Sequence, residues 1–188
     1  MIVESVFVLA LSLAAEPEFK CPATHRLPGF PERAAAMIID GEVRGNNIDF
    51  DPNDLSPEDI GRLEVKCWNP ETDAIPASEG VPLIVIWTNS ALEDAHSKTL
   101  GVAERLQEFE EANGRLPTSL ETLGPDVDGY RIETGVHGWI LTAPEVTDLA
   151  CSISKVTIEA GEGVRCKTVY TLARRSLREA LERGQQTL

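Results

Sequence analysis

The sequence predicts an α+β fold, with small mixed or antiparallel sheets, packing helices and two halves that are each closed by a disulfide. Three observations predict it. Short apolar runs between Pro, Gly and Asn residues indicate strands. Longer stretches with apolar residues at helical spacing indicate amphipathic helices. Four cysteines fall as one pair in each half of a 188-residue chain, a length that suits one domain or two small ones.

In the first half, three stretches predict strands and one predicts a helix. Leu55–Leu63 reads as a short helix, since Ser56 can cap it and Pro57 suits its first position. Asn69–Gly80 is rich in turn residues and predicts a loop. The predicted strands are Ala36–Val43, Leu63–Trp68 and Val81–Thr88.

In the second half, helices alternate with predicted hairpins. A helix from Ser90 to Asn113 is indicated by a capping box of Ser90 with Glu93, and Gly101 marks a point where it can break. Thr118 with Glu121 is a second capping box. The other predicted elements are the strands Tyr130–Thr134, Trp139–Ala143, Cys151–Glu159 and Val164–Thr168, and a C-terminal amphipathic helix, Val169–Arg183.

The cysteines predict an oxidising compartment. We expect Cys21 to pair with Cys67 and Cys151 with Cys166, because each disulfide would then close one half. Four cysteines allow three pairings, and four buried free thiols are the alternative to any of them. None lies in a Cys-x-x-Cys motif and no His lies near a Cys pair, so zinc and thioredoxin-type redox chemistry are not indicated.

Residues 1–15 predict a signal peptide or an N-terminal anchor. Residues 5–13 form an apolar run that ends in Ala14-Ala15-Glu16-Pro17, as at a secretory cleavage site. The first four residues include no Lys or Arg, and a buried N-terminal strand is the alternative. The run is shorter than the ~20 residues that cross a bilayer. We therefore expect a periplasmic or extracellular protein.

Three motifs in the first half carry a resemblance to a known family. They are Met37-Ile-Ile-Asp-Gly-Glu-Val43, Asp54-Leu-Ser-Pro-Glu-Asp-Ile-Gly-Arg-Leu-Glu-Val65 and Gly80-Val-Pro-Leu-Ile-Val-Ile-Trp-Thr88. In this order they resemble the plug domain of TonB-dependent outer-membrane receptors. The resemblance implies that residues 16–88 are a plug-like α/β unit of the bacterial envelope, with no chemistry of its own.

The second half resembles another family of the envelope. Leu106-Gln-Glu-Phe-Glu-Glu-Ala-Asn-Gly-Arg-Leu-Pro-Thr-Ser-Leu-Glu-Thr-Leu123, followed by Trp139-Ile-Leu-Thr-Ala143, is similar to the soluble region of type IV pilins and type II pseudopilins. The resemblance covers residues 100–166. It implies that residues 89–188 form a pilin-like helix and antiparallel sheet, with the C-terminal amphipathic helix added.

One loop has oxygen-bearing side chains at every second position, as calcium-binding loops do. Asp49, Asp51 and Asn53 are its candidate metal ligands. An EF-hand requires Gly at the sixth position and Glu at the twelfth, where this chain has Asp54 and Ile60. Acids before a helix start more often cap the helix, so we predict no metal site.

No catalytic motif stands out. Glu93 and His96 have the i, i+3 spacing of di-iron bundles, which need this motif twice, so a solvated helix face is the better interpretation. His25, His96 and His137 are far apart in sequence and lack a nearby nucleophile motif. We predict a chain that is not an enzyme and has no cofactor.

The C-terminal helix opposes the charge of the whole chain. The net charge is −14, which disfavours nucleic acid and anionic lipid as partners. Arg174, Arg175 and Arg178 nevertheless lie together on this helix. We predict them to form a docking surface for an acidic protein partner or for membrane headgroups, and a solvated face with Arg–Glu pairs is the alternative.

These observations predict a non-catalytic extracytoplasmic binding or adaptor protein, an accessory component of a cell-envelope or membrane-protein assembly. Its partner would be a protein of the envelope. Association with the membrane would run through that partner or through an uncleaved N-terminus. The alternatives are a secreted hydrolase whose site is assembled from distant residues, and a periplasmic inhibitor or sensor module.

Overall fold

A computed structural model describes residues 21–25, 27–31, 34–51, 54–144 and 148–185. The predicted signal peptide, residues 1–15, lies outside the described residues. The predicted α+β class is confirmed, with two four-stranded sheets and helices. The chain divides into two compact units. Unit 1 contains the chain up to Ser90 and from Tyr170 onward, and unit 2 contains Ala91–Val169.

The sheet of unit 1 is mixed. Its strands are β1 (Ala36–Ile39), β2 (Glu42–Asn46), β3 (Ile60–Trp68) and β4 (Val81–Thr88), in the spatial order β2-β1-β4-β3. β1 and β4 are parallel, and the other pairs are antiparallel. β4 is central and mostly buried, as its continuous apolar run predicts.

The predicted strand Ala36–Val43 is wrong in one respect, because it is a hairpin. The chain turns at Asp40 and Gly41, whose φ angles are 50° and 86°. Ile39 pairs with Glu42 on either side of this two-residue turn. Asp-Gly is a favoured pair for turns that need positive φ at both central residues, so the signal for the hairpin was present in the sequence.

The predicted helix Leu55–Leu63 is also wrong in extent. Only Pro57–Asp59 form a 3₁₀ turn, and the side chain of Ser56 makes no capping hydrogen bond. β3 begins at Ile60, which pairs with Thr88 of β4. Pairing along β4 takes over the residues from Ile60 onward, and tertiary context of this kind overrides a local helix signal.

The C-terminal helix α3 (Thr171–Gln185) belongs to unit 1, whereas the predicted boundaries placed it with residues 89–188. Its residues Ala173 and Leu177 are fully buried. The Tyr170 hydroxyl, just before the helix, donates to a Glu64 carboxylate oxygen at 2.6 Å. Sequence periodicity identified the helix and its apolar face, but not the sheet on which that face packs.

Unit 2 contains helix α1 (Asn89–Asn113), which starts at the end of unit 1, and an antiparallel sheet. The helix is continuous through Gly101, the point at which the sequence allowed a break. The sheet has the order β5-β6-β7-β8, with β5 (Arg131–Gly135), β6 (Gly138–Thr142), β7 (Leu149–Ser154) and β8 (Arg165–Thr168). The core packs the helix on this sheet through Val102, Ala103, Leu106, Trp139, Leu141 and Ile153.

Two local predictions in unit 2 are corrected. The predicted strand Cys151–Glu159 ends at Ser154, where a one-turn helix α2 (Lys155–Glu159) begins. The hydroxyl of Ser154 accepts from the amide of Thr157, which caps that helix. The cap after α1 is formed by Ser119 and not by Thr118, because the Ser119 hydroxyl accepts from the amide of Glu121 and starts the 3₁₀ turn Leu120–Leu123.

Both predicted disulfides are present. Cys21 is bonded to Cys67 and Cys151 to Cys166, so no cysteine is free. The first disulfide ties the N-terminal arm to the end of β3 in unit 1. The second links directly opposed residues of β7 and β8 in unit 2. The two disulfides indicate an oxidising, extracytoplasmic environment.

Candidate functional site

The three predicted partner-binding arginines lie on α3, and they differ in their surroundings. Arg178 forms an ion pair with Asp73, with 3.2 Å between Nη2 and Oδ2. Arg174 is half-buried and donates from Nε to the carbonyl oxygen of Tyr170 at 3.2 Å. Arg175 is exposed. The position that best fits a partner surface is therefore Arg175, since the other two hold contacts within unit 1.

Asp73 links α3 to Trp68 at the end of β3. Its Oδ1 accepts from the indole nitrogen of Trp68 at 3.0 Å, and its Oδ2 faces Arg178. Partial burial raises the pKa of Asp73, but hydrogen bonds from Trp68 and Arg178 and the nearby charge of Arg174 outweigh it, so the pKa lies below its usual range. Asp73 is therefore ionised at neutral pH and anchors the helix through Arg178.

The other anchor is Glu64, at the middle of β3. Its Oε2 accepts from Tyr170 and lies 3.3 Å from the ammonium nitrogen of Lys66. Because successive side chains of a strand point to opposite faces, Leu63 and Val65 point to the other face of the sheet. They are 37% and 42% exposed. Unit 1 thus carries an exposed apolar strip along its outermost strand.

Of the candidate calcium ligands, Asp49 has a structural role. Asp49 accepts from the amide nitrogen of Asn46 at 2.8 Å, and the amide oxygen of Asn46 accepts from the backbone amides of Ile48 and Asp49. These bonds form the turn that follows β2. Asp51 is exposed, and Asn53 lies outside the described residues. Among the described residues, no three His, Cys, Asp or Glu side chains are grouped as metal ligands.

The three histidines have separate surroundings. His25 lies 3.3 Å from Glu71 in unit 1. His96 accepts from the backbone amide of Val164 at 3.2 Å in unit 2, so it fixes a loop there. His137 is exposed in the turn between β5 and β6. Among the described residues, no contact joins one histidine to another, and the hydroxyl beside a histidine is that of Thr24, 3.0 Å from Nδ1 of His25.

A polar cluster in unit 2 was missed from the sequence. Glu110 of α1 accepts from the indole nitrogen of buried Trp139 at 2.9 Å and from the ammonium of Lys155 at 3.0 Å. The Lys155 hydrogen bond, then the Trp139 hydrogen bond, lower the pKa of Glu110 against the effect of burial. The hydrogen bond to Glu110 raises the pKa of Lys155. The three groups satisfy one another, and no sequence motif joins them, because they come from three elements.

Unit 2 also has a surface depression of about 640 Å³ beside the 3₁₀ turn Leu120–Leu123 and a second one, Pro125–Val127. Its polar lining includes Ser119, Glu121, Asp128 and Tyr130. None of the histidines lines it, and neither Lys nor Arg does. The side chains of the lining therefore offer carboxylates and hydroxyls and no positive charge.

Comparison with known proteins adds no relative. No family model, no curated protein and no solved structure matches this chain. Within the described ranges, no helix is both long enough and apolar enough to cross a membrane.

Proposed function

We propose that this chain is a non-catalytic binding protein of the bacterial envelope, an accessory part of an assembly in the periplasm or at the cell surface. The observation that carries the proposal is the exposed Arg175 on a firmly packed helix of a chain whose net charge is −14. A charge that opposes the overall sign steers an acidic partner to one place on the surface. The partner is an acidic protein, and nucleic acid is disfavoured.

The packing of α3 supports this role. Ala173 and Leu177 are buried under the helix, and Arg178 is bonded to Asp73. The backbone that carries Arg175 is therefore held in one place. A backbone that is already fixed loses less conformational entropy when the side chain it carries binds, so the same contact gives a higher affinity.

The disulfides and the two resemblances support the compartment. Disulfides persist where the environment is oxidising, as in the periplasm. The plug-like residues 36–88 and the pilin-like residues 100–166 both resemble domains of envelope proteins. Their combination in one chain favours an adaptor between envelope components, and membrane association would run through the partner or through an uncleaved N-terminus.

The test is the envelope-bound fraction of the protein in its own host. We expect Arg175→Glu to lower that fraction, and we expect added salt to lower the fraction of the wild type in the same way, because exposed charge pairs are screened. Arg44→Glu is the matched control, since Arg44 is an exposed arginine of β2 in the same unit. Arg174 and Arg178 are left unchanged, because their substitution would also loosen α3.

Equal sedimentation of Arg175→Glu and wild type at low and high salt would show that α3 is not a binding surface. A thermal melt of each variant shows that the comparison is made between folded proteins.

A further inference from the structure

The outer side of β3 is open over part of its length. β3 is the last strand of its sheet, and no strand of the described chain pairs with its outer side. The loop after β3 covers one end, since the amide of Ala77 donates to the carbonyl of Cys67 at 2.8 Å and the amide of Asn69 donates to that of Ala74 at 3.1 Å. We call Gly61–Val65, which this loop leaves uncovered, the open edge.

Among the described residues, no backbone group bonds to the outer side of Leu63 or Val65. The backbone of Cys67 points away from β4. Its partner on β4 is Pro82, which has no N–H to donate, and its carbonyl accepts from Ala77 on the outer side. Backbone groups alternate in direction along a strand, so Leu63 and Val65 also direct their N–H and C=O away from β4. The same two residues expose apolar side chains, at 37% and 42%. An unpaired edge with exposed apolar side chains is a template for another strand.

The order of charges identifies which strand fits. We propose that the open edge pairs with the open edge of a second copy of this chain, antiparallel, with Leu63 opposite Leu63 at a twofold axis. In this register Arg62 is opposite Glu64 of the second copy, and the symmetry repeats the pair. Opposite charges directly across a strand pair are stabilising. Gly61 is opposite Val65, which leaves room for the valine.

The neighbouring registers are worse for stated reasons. Leu63 opposite Val65 places Glu64 against Glu64, and Leu63 opposite Gly61 places Arg62 against Arg62. Like charges directly opposite are destabilising. Val65 opposite Val65 pairs Leu63 with Cys67, whose carbonyl is already bonded to Ala77. Only the register centred on Leu63 uses the open edge alone and alternates the charges.

This association does not involve the arginines of α3 and requires no envelope partner. Glu64 keeps its hydrogen bond from Tyr170 and its contact with Lys66 on the face where α3 lies, while the pairing uses the outward backbone groups of Leu63 and Val65. The overall charge of −14 on each copy opposes association at long range. At physiological ionic strength the screening length is about 8 Å, so this repulsion is weakened more than the attraction between paired side chains in contact.

The first test is cysteine cross-linking of the whole protein under mild oxidation. We expect Leu63→Cys to give a disulfide-linked dimer, because the two residues face each other across the axis. Val65→Cys is the matched control, since it is equally exposed on the same face. Two Val65 positions are separated by about four residues along the strand, or roughly 13 Å, which a disulfide cannot span.

The second test is sedimentation of the wild type over a concentration series at physiological ionic strength. We expect a monomer–dimer equilibrium, whose dissociation constant rises about tenfold in Arg62→Glu, because two attractive pairs become repulsive. Arg44→Glu, on the opposite edge strand of the sheet, should leave it unchanged. A melting curve confirms that each variant is folded.

Two results would overturn the proposal. One is a wild type that stays monomeric throughout the series, which would leave the open edge for a strand of a different protein. The other is a dimer in which Val65→Cys cross-links as readily as Leu63→Cys, which would place the contact elsewhere or in another register.

Discussion

At Gly80 the backbone of unit 1 lies close to another backbone segment, at Trp68 and Asn69. The φ angle of Gly80 is 141°, and a Cβ at this position would overlap the carbonyl oxygen of Trp68 and lie 3.0 Å from the Cα of Asn69. Both neighbours are backbone, so they cannot move aside as a flexible side chain would. We expect Gly80→Ala to lower the free energy of unfolding by more than about 2 kcal/mol, measured by urea denaturation.

A substitution at Gly45 distinguishes the effect of backbone strain from the effect of a steric clash. Gly45 also has positive φ, 121°, but no atom lies within 4 Å of its hypothetical Cβ. Gly45→Ala should therefore cost only the backbone strain and destabilise less than Gly80→Ala. Equal losses in the two variants would show that the contact with Trp68 is unimportant.

Glu110 gives unit 2 a pH-dependent stability. Its pKa in the folded protein lies below the ordinary value of 4.5, chiefly through the hydrogen bond from Lys155 and then the one from Trp139. The stabilisation is complete above pH 4.5 and is lost as the pH falls through the lower, folded pKa. Glu110→Gln should lower the free energy of unfolding by roughly 1 kcal/mol at pH 7 and by nothing at a pH below that folded value.

The measurement is denaturant unfolding at both pH values. Glu108→Gln is the control, because this acidic side chain of the same helix is exposed. A loss in Glu110→Gln that is the same at both pH values would mean that its charge contributes nothing.

At the scale of elements, the sequence predicted what local periodicity and turn chemistry encode. The boundaries of β4 match, because a loop precedes its apolar run and α1 begins directly after it. The predicted strand 36–43 failed at Asp40-Gly41, since the run of apolar residues before it concealed the hairpin turn. The predicted helix 55–63 failed because pairing with β4 takes the residues from Ile60 onward.

The candidate site was predictable only in part, because contacts between residues distant in sequence leave no local pattern. The arginines of α3 stand out by their charge, so sequence reasoning found them. Their partners did not stand out: Asp73 lies in a loop more than a hundred residues before Arg178, and no motif links the two. The polar cluster of unit 2 was equally hidden from sequence reasoning. No motif links Glu110, Trp139 and Lys155, and only the fold brings them together.

At the scale of the whole molecule, each unit has its own sheet and its own disulfide. Cys151 and Cys166 close a loop of 15 residues within unit 2, while Cys21 and Cys67 lie in unit 1. Chain-entropy arguments give the shorter loop a stabilisation of about 3 kcal/mol. Replacing both Cys151 and Cys166 by Ser should therefore destabilise unit 2 by about this amount and leave unit 1 folded.

Amide hydrogen exchange resolves the two units in one experiment, because peptides from each sheet report separately on its opening. In the variant without the second disulfide, we expect faster exchange in β5 to β8 and unchanged exchange in β1 and β4. The matched variant, with Ser at Cys21 and Cys67, should reverse this pattern. If either variant speeds exchange equally in both sheets, the units unfold as one body, because independent units cannot share the loss of a disulfide that lies in only one of them.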